Sequence, residues 1–171
     1  TPEQEIKHGL ELSDDFKGPQ LGLQWTFWKE YAPQSLTFKE DILWMKAKGR
    51  TPADGRVLLT TAEDKNYETQ VEVNVGKGNT AGLLLYYSEK AYAGVVSDGK
   101  NFTIYRNAEN SFTLPNKLGK RFLAKIQNQG NSVRMAVSKD GKEWTTLVEN
   151  MDVSQLHHNN YGGSISRCIL Q

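Results

Sequence analysis

The chain has 171 residues, which suffice for one substantial hydrophobic core but not for two ordinary domains and a linker. Its 21 Lys and Arg residues nearly balance its 20 Asp and Glu residues, so the surface field has no dominant sign to attract nucleic acid or anionic lipid. No apolar run approaches the roughly 20 residues that span a bilayer. We therefore predict one domain, with no nucleic-acid partner and no membrane partner.

Residues 1–10, TPEQEIKHGL, have no stable hydrophobic period and are predicted to form an arm or linker that enters a domain over residues 11–171. The same segment lacks the charged and apolar regions of a signal peptide. We therefore expect a soluble chain from which any export signal has already been removed. The single cysteine, Cys168, excludes an internal disulfide and leaves the redox compartment open.

Short strands are predicted along the first half of the domain, because apolar and polar residues alternate there. They are expected at residues 11–16, 23–28, 42–48, 56–62 and 67–75. The run Lys39-Glu40-Asp41 marks a turn. In the fifth strand, valines at positions 71, 73 and 75 face one side and polar residues face the other, which is the pattern of a half-buried strand. Residues 76–80 are interpreted as a hairpin turn.

Residues 81–106, AGLLLYYSEKAYAGVVSDGKNFTIYR, predict three strands joined by two tight turns. Residues 81–88 are apolar on both alternating faces, which fits a central strand covered on both sides rather than a helix. Asp98-Gly99 supplies the positive φ that a tight hairpin turn requires. In all, about ten to thirteen short strands and no convincing helix indicate an all-β antiparallel sandwich.

The second half of the chain repeats this pattern. A hairpin is predicted over residues 122–137 around a turn at 128–131, followed by strands at 144–148 and 162–170. Two segments echo each other, SDGKNF at residues 97–102 and SKDGKEW at residues 138–144. We interpret both as hairpin turns with an aromatic residue returning to the sheet.

Glu68 and Glu72 are the carboxylate pair that shares a strand face. Glycoside hydrolysis needs two carboxyl groups about 5 to 9.5 Å apart. Four residues of strand span about 13 Å, which is too wide unless a bulge intervenes. The two glutamates are therefore interpreted as solvated strand carboxylates.

Asp14 and Asp15 are the candidate metal ligands, because adjacent acids beside a turn supply oxygen atoms of the kind that Ca²⁺ prefers. The alternative is a pair of acids that caps or solvates the turn. His157 and His158 are adjacent, so on a strand they point to opposite faces and cannot chelate one metal together. We predict a loop or interface role for the two histidines.

Several segments together resemble one known family. They are Asp14-Asp15-Phe16, LGLQW at residues 21–25, residues 81–106, SKDGKEWTTL at residues 138–147 and HHNNYGG at residues 157–163. In order and spacing they resemble the C-terminal concanavalin A-like domain of family 43 glycoside hydrolases, the β-xylosidase and arabinofuranosidase group. The resemblance covers most of the chain and implies a concanavalin A-like, jelly-roll antiparallel β-sandwich.

The resemblance also implies a function. In that family the hydrolytic acids belong to a separate catalytic propeller, so this chain is expected to be a non-catalytic accessory module. Its implied partners are an upstream propeller domain and a xylan- or arabinan-type polysaccharide, in an extracellular or periplasmic setting. The expected interdomain or ligand contact is the loop that carries His157, His158, Asn159 and Tyr161. Tyr161 is the candidate for the aromatic side chain that some members project toward the catalytic pocket.

Sugar binding would use aromatic faces that stack on sugar rings, with hydrogen-bonding side chains at the rim. Tyr86 lies on the strand face opposite Leu83 and Leu85, and Tyr105 shares that face by parity. Trp28 and Arg106 are further candidates that fit core or edge positions equally well. Two other functions stay open: a sandwich-type glycoside hydrolase in its own right, and a purely structural protein-interaction module.

Overall fold

The computed structural model describes residues 26–27, 36–39, 42–45, 52, 58–62, 66–154 and 166–170. Thirteen strands lie in these ranges. They are β1 Thr26–Phe27, β2 Leu36–Lys39, β3 Ile42–Met45, β4 Leu58–Ala62, β5 Asn66–Asn74, β6 Ala81–Ser88, β7 Ala91–Ser97, β8 Asn101–Arg106, β9 Glu109–Pro115, β10 Arg121–Gln129, β11 Ser132–Ser138, β12 Trp144–Asp152 and β13 Ser166–Leu170. Nothing in these ranges forms a helix long and apolar enough to cross a bilayer.

Two antiparallel sheets make up the sandwich. One has seven strands in the order β1-β4-β13-β6-β7-β8-β9, and the other has four in the order β12-β11-β10-β5. Strands β2 and β3 form a separate pair. The predicted antiparallel all-β sandwich is therefore confirmed.

The main hydrophobic core lies between the two sheets. Its buried members include Val73, Leu83, Leu85, Val95, Phe102, Phe122, Ile126 and Met135. Phe102 and Phe122 meet edge to face across the interface, with ring centroids 5.2 Å apart. Strand β10 shows how the sequence directs this packing, because its buried and partly exposed residues alternate along its length. The predicted half-buried pattern of residues 67–75 is confirmed in the same way, since Val73 and Val75 are buried while Glu72 and Asn74 are exposed.

The centre of the seven-stranded sheet is buried on both faces. All seven residues of β7 are buried. On the face away from the main core, Leu84, Tyr86, Tyr92 and Val96 form a second buried cluster. The prediction that residues 81–88 form a central strand covered on both sides is confirmed.

Gly94 allows β6 and β7 to lie close together on this second face. A methyl group at Gly94 would collide with the backbone carbonyl of Leu83 and would lie 2.8 Å from Leu84 Cα. Both obstacles belong to a central strand, which cannot shift without breaking its pairing. The absence of a side chain at position 94 is therefore a packing requirement.

The connections were predicted in part. Hairpins join β6 to β7, β7 to β8, and β10 to β11, as expected. The interpretation of residues 76–80 as a hairpin turn is wrong, because β5 and β6 belong to different sheets and the segment crosses between them. Strands β2 and β9 were not predicted. The arm expected at residues 1–10 lies outside the described residues.

We expect Gly94→Ala to lower the free energy of unfolding by roughly 3 kcal/mol or more, because the added methyl group meets backbone atoms on a central strand. Chemical denaturation followed by tryptophan fluorescence measures this. The matched control is Gly76→Ala, whose methyl group would meet only the Asn79 side chain, at 3.0 Å. A Gly94→Ala protein as stable as the control would show that the two strands are not held at this separation.

Candidate functional site

The outward surface of the four-stranded sheet is its polar face. Along β5, β10 and β11 the side chains that do not enter the core point to this side, because successive residues of a strand alternate. The register places them in rows that run across the strands. One row includes Glu68, Gln127 and Arg134, and another includes Lys125, Ala136 and Thr146. The rows bring together residues that are far apart in the sequence.

A groove lies at one end of the polar face. Its volume is about 540 Å³, within the range of ligand-binding clefts, and its walls include Glu68, Gln127, Arg134 and Glu149. Gln127 Nε2 donates to Glu68 Oε2 at 2.8 Å. Arg134 Nε lies 3.8 Å from Glu149 Oε1. The groove is thus lined by amide, carboxylate and guanidinium groups that already hold one another in position.

Trp144 stands on the same face, at the start of β12. It pairs with Ser138 and its ring is half-buried. Lys125 Nζ lies 3.8 Å from the centroid of the ring, and the indole Nε1 donates to the carbonyl oxygen of Gly141 at 3.1 Å. Such a cation–π contact contributes about 0.5–1 kcal/mol at an exposed site. Two contacts therefore fix the orientation of an aromatic ring on a polar surface.

Lys125 connects this ring to the groove. Its ammonium group also lies 3.9 Å from Glu68 Oε1, so one cation bridges the aromatic ring and a groove carboxylate. Ala136, which lies opposite Lys125 on β11, has a side chain too short to separate the groups on either side. The ring, the ammonium group and the carboxylate form a continuous polar and aromatic surface across all four strands.

The strand positions of the carboxylates on this surface are wider apart than the carboxyl groups of a hydrolytic acid pair. Glu68 and Glu72 are about 13 Å apart along β5. Glu68 and Glu149 lie on the two outer strands, separated by three strand spacings of about 4.8 Å, or about 14 Å. Hydrolysis of a glycosidic bond needs about 5 to 9.5 Å. Glu72 is exposed and paired with Arg121, in agreement with the interpretation of solvated carboxylates.

Tyr86 and Tyr105 lie on the outer face of the seven-stranded sheet and not on the polar face. Tyr86 stacks on Tyr92 with ring centroids 5.6 Å apart, and Tyr92 contacts Tyr105 at 5.5 Å. The parity argument that Tyr86 and Tyr105 share a face is therefore correct. However, Tyr86 is fully buried, so its ring is not offered to a sugar. Burial raises the pKa of the Tyr86 hydroxyl far above its ordinary value, and the neighbouring Glu89 carboxylate adds to the rise.

Tyr105 is half-buried at the rim of this tyrosine cluster, and Arg106 is exposed at the end of β8. The structure does not bring either residue to the polar face, because β8 belongs to the other sheet. Trp144 was not among the predicted binding residues. The sequence did contain a signal for Trp144. It is the first residue after the turn at residues 139–143, and that turn follows the alternating strand at residues 132–138.

Other predicted site residues lie outside the described residues. They are Asp14, Asp15, Trp28, His157, His158, Asn159 and Tyr161. Their predicted roles in calcium binding, sugar binding and interdomain contact stay predictions. Within the described part of the chain, no three His, Cys, Asp or Glu side chains are grouped to hold a metal ion.

A family profile described as the β-xylosidase C-terminal concanavalin A-like domain matches residues 13–164. A search of curated protein sequences finds no match to the chain. The fold is similar to several solved structures. It aligns with the GH43 BlXynB protein from Bacillus licheniformis at a TM-score of 0.73 and 16% identity, covering 92% of this chain and 37% of that one.

Two further structures show the same relationship. A GH43_12 protein retrieved from a capybara gut metagenome aligns at a TM-score of 0.76 and 14% identity, covering 92% of this chain and 34% of that one. Xylan β-1,4-xylosidase from Bacillus halodurans C-125 aligns at 0.69 and 15%, covering 99% and 40%. The chain therefore spans between 34% and 40% of the length of these proteins.

We expect Tyr86→Phe to make stability less sensitive to alkaline pH. The raised pKa of Tyr86 means that its contribution is fully present below the ordinary tyrosine pKa of 10.0 and is lost as the pH rises above it. The phenylalanine variant has no hydroxyl to ionise at this position. Urea unfolding measured from about pH 9 to about pH 11 should therefore give a shallower decline for the variant. Parallel declines would show that the Tyr86 hydroxyl does not titrate with folding.

Proposed function

This chain belongs to the family of β-xylosidase C-terminal concanavalin A-like domains, and from that premise we propose that it is a non-catalytic accessory module of a xylosidase-type glycoside hydrolase. In the proposal, the module holds xylan- or arabinan-type polysaccharide and supports a companion catalytic domain. The solved GH43 proteins are more than twice as long as the aligned region, which leaves room in them for such a domain. Because the substrate is a polymer, the proposal includes an extracellular or periplasmic location.

The observation that carries the glycan-binding part is the oriented Trp144 ring, which Lys125 links to a groove lined with polar groups. Sugar rings present apolar C–H faces to an aromatic ring and hydroxyl groups at their edges. Gln127, Arg134 and Glu149 supply both hydrogen-bond donors and acceptors in the groove. The polar face therefore suits an extended glycan better than a single small sugar.

The non-catalytic part is supported by the spacing of carboxylates on the same face. The strand positions of Glu68, Glu72 and Glu149 are about 13–14 Å apart or more, wider than the roughly 5 to 9.5 Å between the carboxyl groups that act across one glycosidic bond. Glu72 and Glu149 also form ion pairs with Arg121 and Arg134, respectively.

We expect Trp144→Ala to weaken binding to soluble xylan about tenfold, because it removes the one aromatic ring that the described part of the polar face contains. Affinity electrophoresis in gels with and without xylan measures the change. The matched control is Phe112→Ala, which removes an exposed aromatic ring from β9, on the other sheet. Melting temperatures of both variants test for unfolding. Equal retardation of the folded Trp144→Ala variant and the unaltered chain would remove Trp144 from the site.

We also expect the chain by itself to release no reducing ends from xylan, arabinan or β-glucan. The physical reason is the carboxylate spacing on the polar face. A colorimetric reducing-end assay with long incubation measures this. Turnover that is abolished by Glu72→Gln would contradict the proposal and favour a sandwich-type hydrolase.

A further inference from the structure

Four loops meet at one end of the sandwich, which we call the lysine end. They are residues 75–80, 98–100, 116–120 and 139–143. Strand pairing brings them together, because Asn74 at the end of β5 lies opposite Arg121 at the start of β10. Ser138 at the end of β11 lies opposite Leu123, near the same end. Loops that are far apart in the sequence therefore form one surface.

The third of these loops is bonded to each of the others. Its backbone forms hydrogen bonds with Val75 at 2.8 Å and with Lys100 at 2.9 Å. The ammonium group of Lys139, in the fourth loop, donates to the carbonyl oxygens of Leu118 and Arg121, each at 2.9 Å. The lysine end is thus a connected structure and not four independent loops.

The buried side chain of Asn116 fixes the conformation of the third loop, residues 116–120. Its Nδ2 donates to Ser97 Oγ and to the carbonyl oxygen of Gly119, both at 2.8 Å. Its Oδ1 accepts from the backbone N–H groups of Leu118 and Gly119 at 2.8 and 3.1 Å. A side chain with all these bonds holds the loop in one conformation, so the backbone positions from which Lys117 and Lys120 project are defined.

Positive charge accumulates on this surface. The four loops carry six exposed lysines, which are Lys77, Lys100, Lys117, Lys120, Lys139 and Lys142. They carry three carboxylates, Asp98, Asp140 and Glu143, which leaves a surplus of three positive charges. The whole chain has a formal net charge of only +1. The residues outside the four loops therefore sum to a slight negative charge.

Two of the three carboxylates accept hydrogen bonds from backbone N–H groups within their own turns. Asp98 accepts hydrogen bonds from the backbone N–H groups of Lys100 and Asn101, both at 2.8 Å. Asp140 does the same in its own turn. These bonds lower the pKa of both carboxyl groups and hold them against the backbone. Among the described residues, the ammonium groups of Lys77, Lys117 and Lys142 have no carboxylate within ion-pair distance.

The opposite end of the sandwich has no such surplus in its described turns. The turn between β6 and β7 carries Glu89 and Lys90, and the turn between β8 and β9 is flanked by Arg106 and Glu109. Their charges cancel. Among the described turns, an anionic ligand is therefore attracted to the lysine end and not to the turns opposite it.

We propose that the lysine end binds the carboxylate groups of an acidic polysaccharide, such as a xylan that carries uronic acid branches. This inference rests on the proposed function and specifies the class of glycan. Each lysine offers three donors to a carboxylate, and charge-assisted hydrogen bonds of this kind are stronger than neutral ones. Trp144 is joined to the same loop through Gly141. A neutral sugar of the main chain stacks on the Trp144 ring while an acidic branch reaches the lysines.

The amount of charge favours a sparsely acidic glycan over nucleic acid. A protein that makes about 6–10 phosphate contacts uses one cationic side chain for each of them. The lysine end has six lysines, at the lower limit of that number, and its three carboxylates repel phosphates. The surplus of three charges suits isolated carboxylates spaced along a polymer that is otherwise neutral.

The test compares two soluble xylo-oligosaccharides of equal length, one neutral and one bearing a single uronic acid branch, with the complete 171-residue chain in calorimetry. The variant is the triple substitution Lys77→Gln, Lys117→Gln and Lys142→Gln, which cancels the surplus charge. We expect it to bind the acidic oligosaccharide about fivefold more weakly, because the single carboxylate loses one exposed ion pair and the surplus positive charge around it. Affinity for the neutral oligosaccharide should not change. Raising the salt concentration should weaken acidic binding of the unaltered chain only.

Two controls separate charge from structure. The triple substitution of the same lysines by arginine keeps the charge and should keep the preference for the acidic oligosaccharide. Lys90→Gln removes one positive charge from the opposite end and should leave both affinities unchanged. Melting temperatures of all variants verify that they are folded.

The outcomes distinguish this inference from the proposed function. Equal affinity of the unaltered chain for the two oligosaccharides, or an unchanged affinity of the glutamine variant for the acidic one, overturns the inference and leaves neutral glycan binding intact. Binding of neither oligosaccharide overturns both. Tighter binding of a duplex DNA fragment than of the acidic oligosaccharide at the same salt concentration overturns the inference in favour of nucleic acid.

Discussion

Strands β6 and β7 bury both of their faces, and this constraint determines which surfaces of the sandwich remain available. One face packs against the four-stranded sheet, and the other holds the stacked rings of Tyr86 and Tyr92. Burying each large apolar side chain stabilises the fold by about 1.5–3 kcal/mol, so neither face can open without a large loss. The centre of the seven-stranded sheet is therefore closed to ligands. Among the described residues, the polar face and the loops at the sheet ends are the surfaces that the proposed function uses.

The sequence predicts most of this fold because alternation and turn chemistry are local properties. It fails where a connection breaks the usual rules. The turn between β8 and β9 has positive φ at Asn107 and Ala108, of 50° and 65°, although neither residue is glycine. Alanine rarely adopts this conformation, so no turn signal marked the start of β9. Residues 76–80 have ordinary turn chemistry, but local chemistry does not reveal whether a turn stays in one sheet or crosses to the other.

The candidate sugar-binding residues were harder to predict than the strands. Alternation along a strand shows which of its two faces a side chain is on, but it does not show whether other residues cover that face. Tyr86 and Tyr105 share a face as predicted, yet Tyr86 has no exposed surface. The polar face arises in the opposite way. Glu68, Lys125 and Trp144 come from three different strands, and only the register of the four-stranded sheet places them side by side. That register cannot be inferred from the alternation of residues in a single sequence.

The two echoing turns show how one residue's parity can decide between core and surface. In both, a serine Oγ accepts a hydrogen bond from the glycine N–H of the turn, at 3.0 Å for Gly99 and 2.8 Å for Gly141. In both, that serine pairs with the aromatic residue that ends the turn.

Ser97 is on the same face of β7 as the core residues, so its pairing partner Phe102 points into the core. Ser138 directly follows the core residue Val137 and is therefore on the opposite face of β11. Its pairing partner Trp144 accordingly lies on the polar face. The same turn chemistry thus builds the interior at one site. At the other it sets an aromatic ring beside the loop that carries Lys139 and Lys142, which joins the proposed stacking surface to the proposed charge surface.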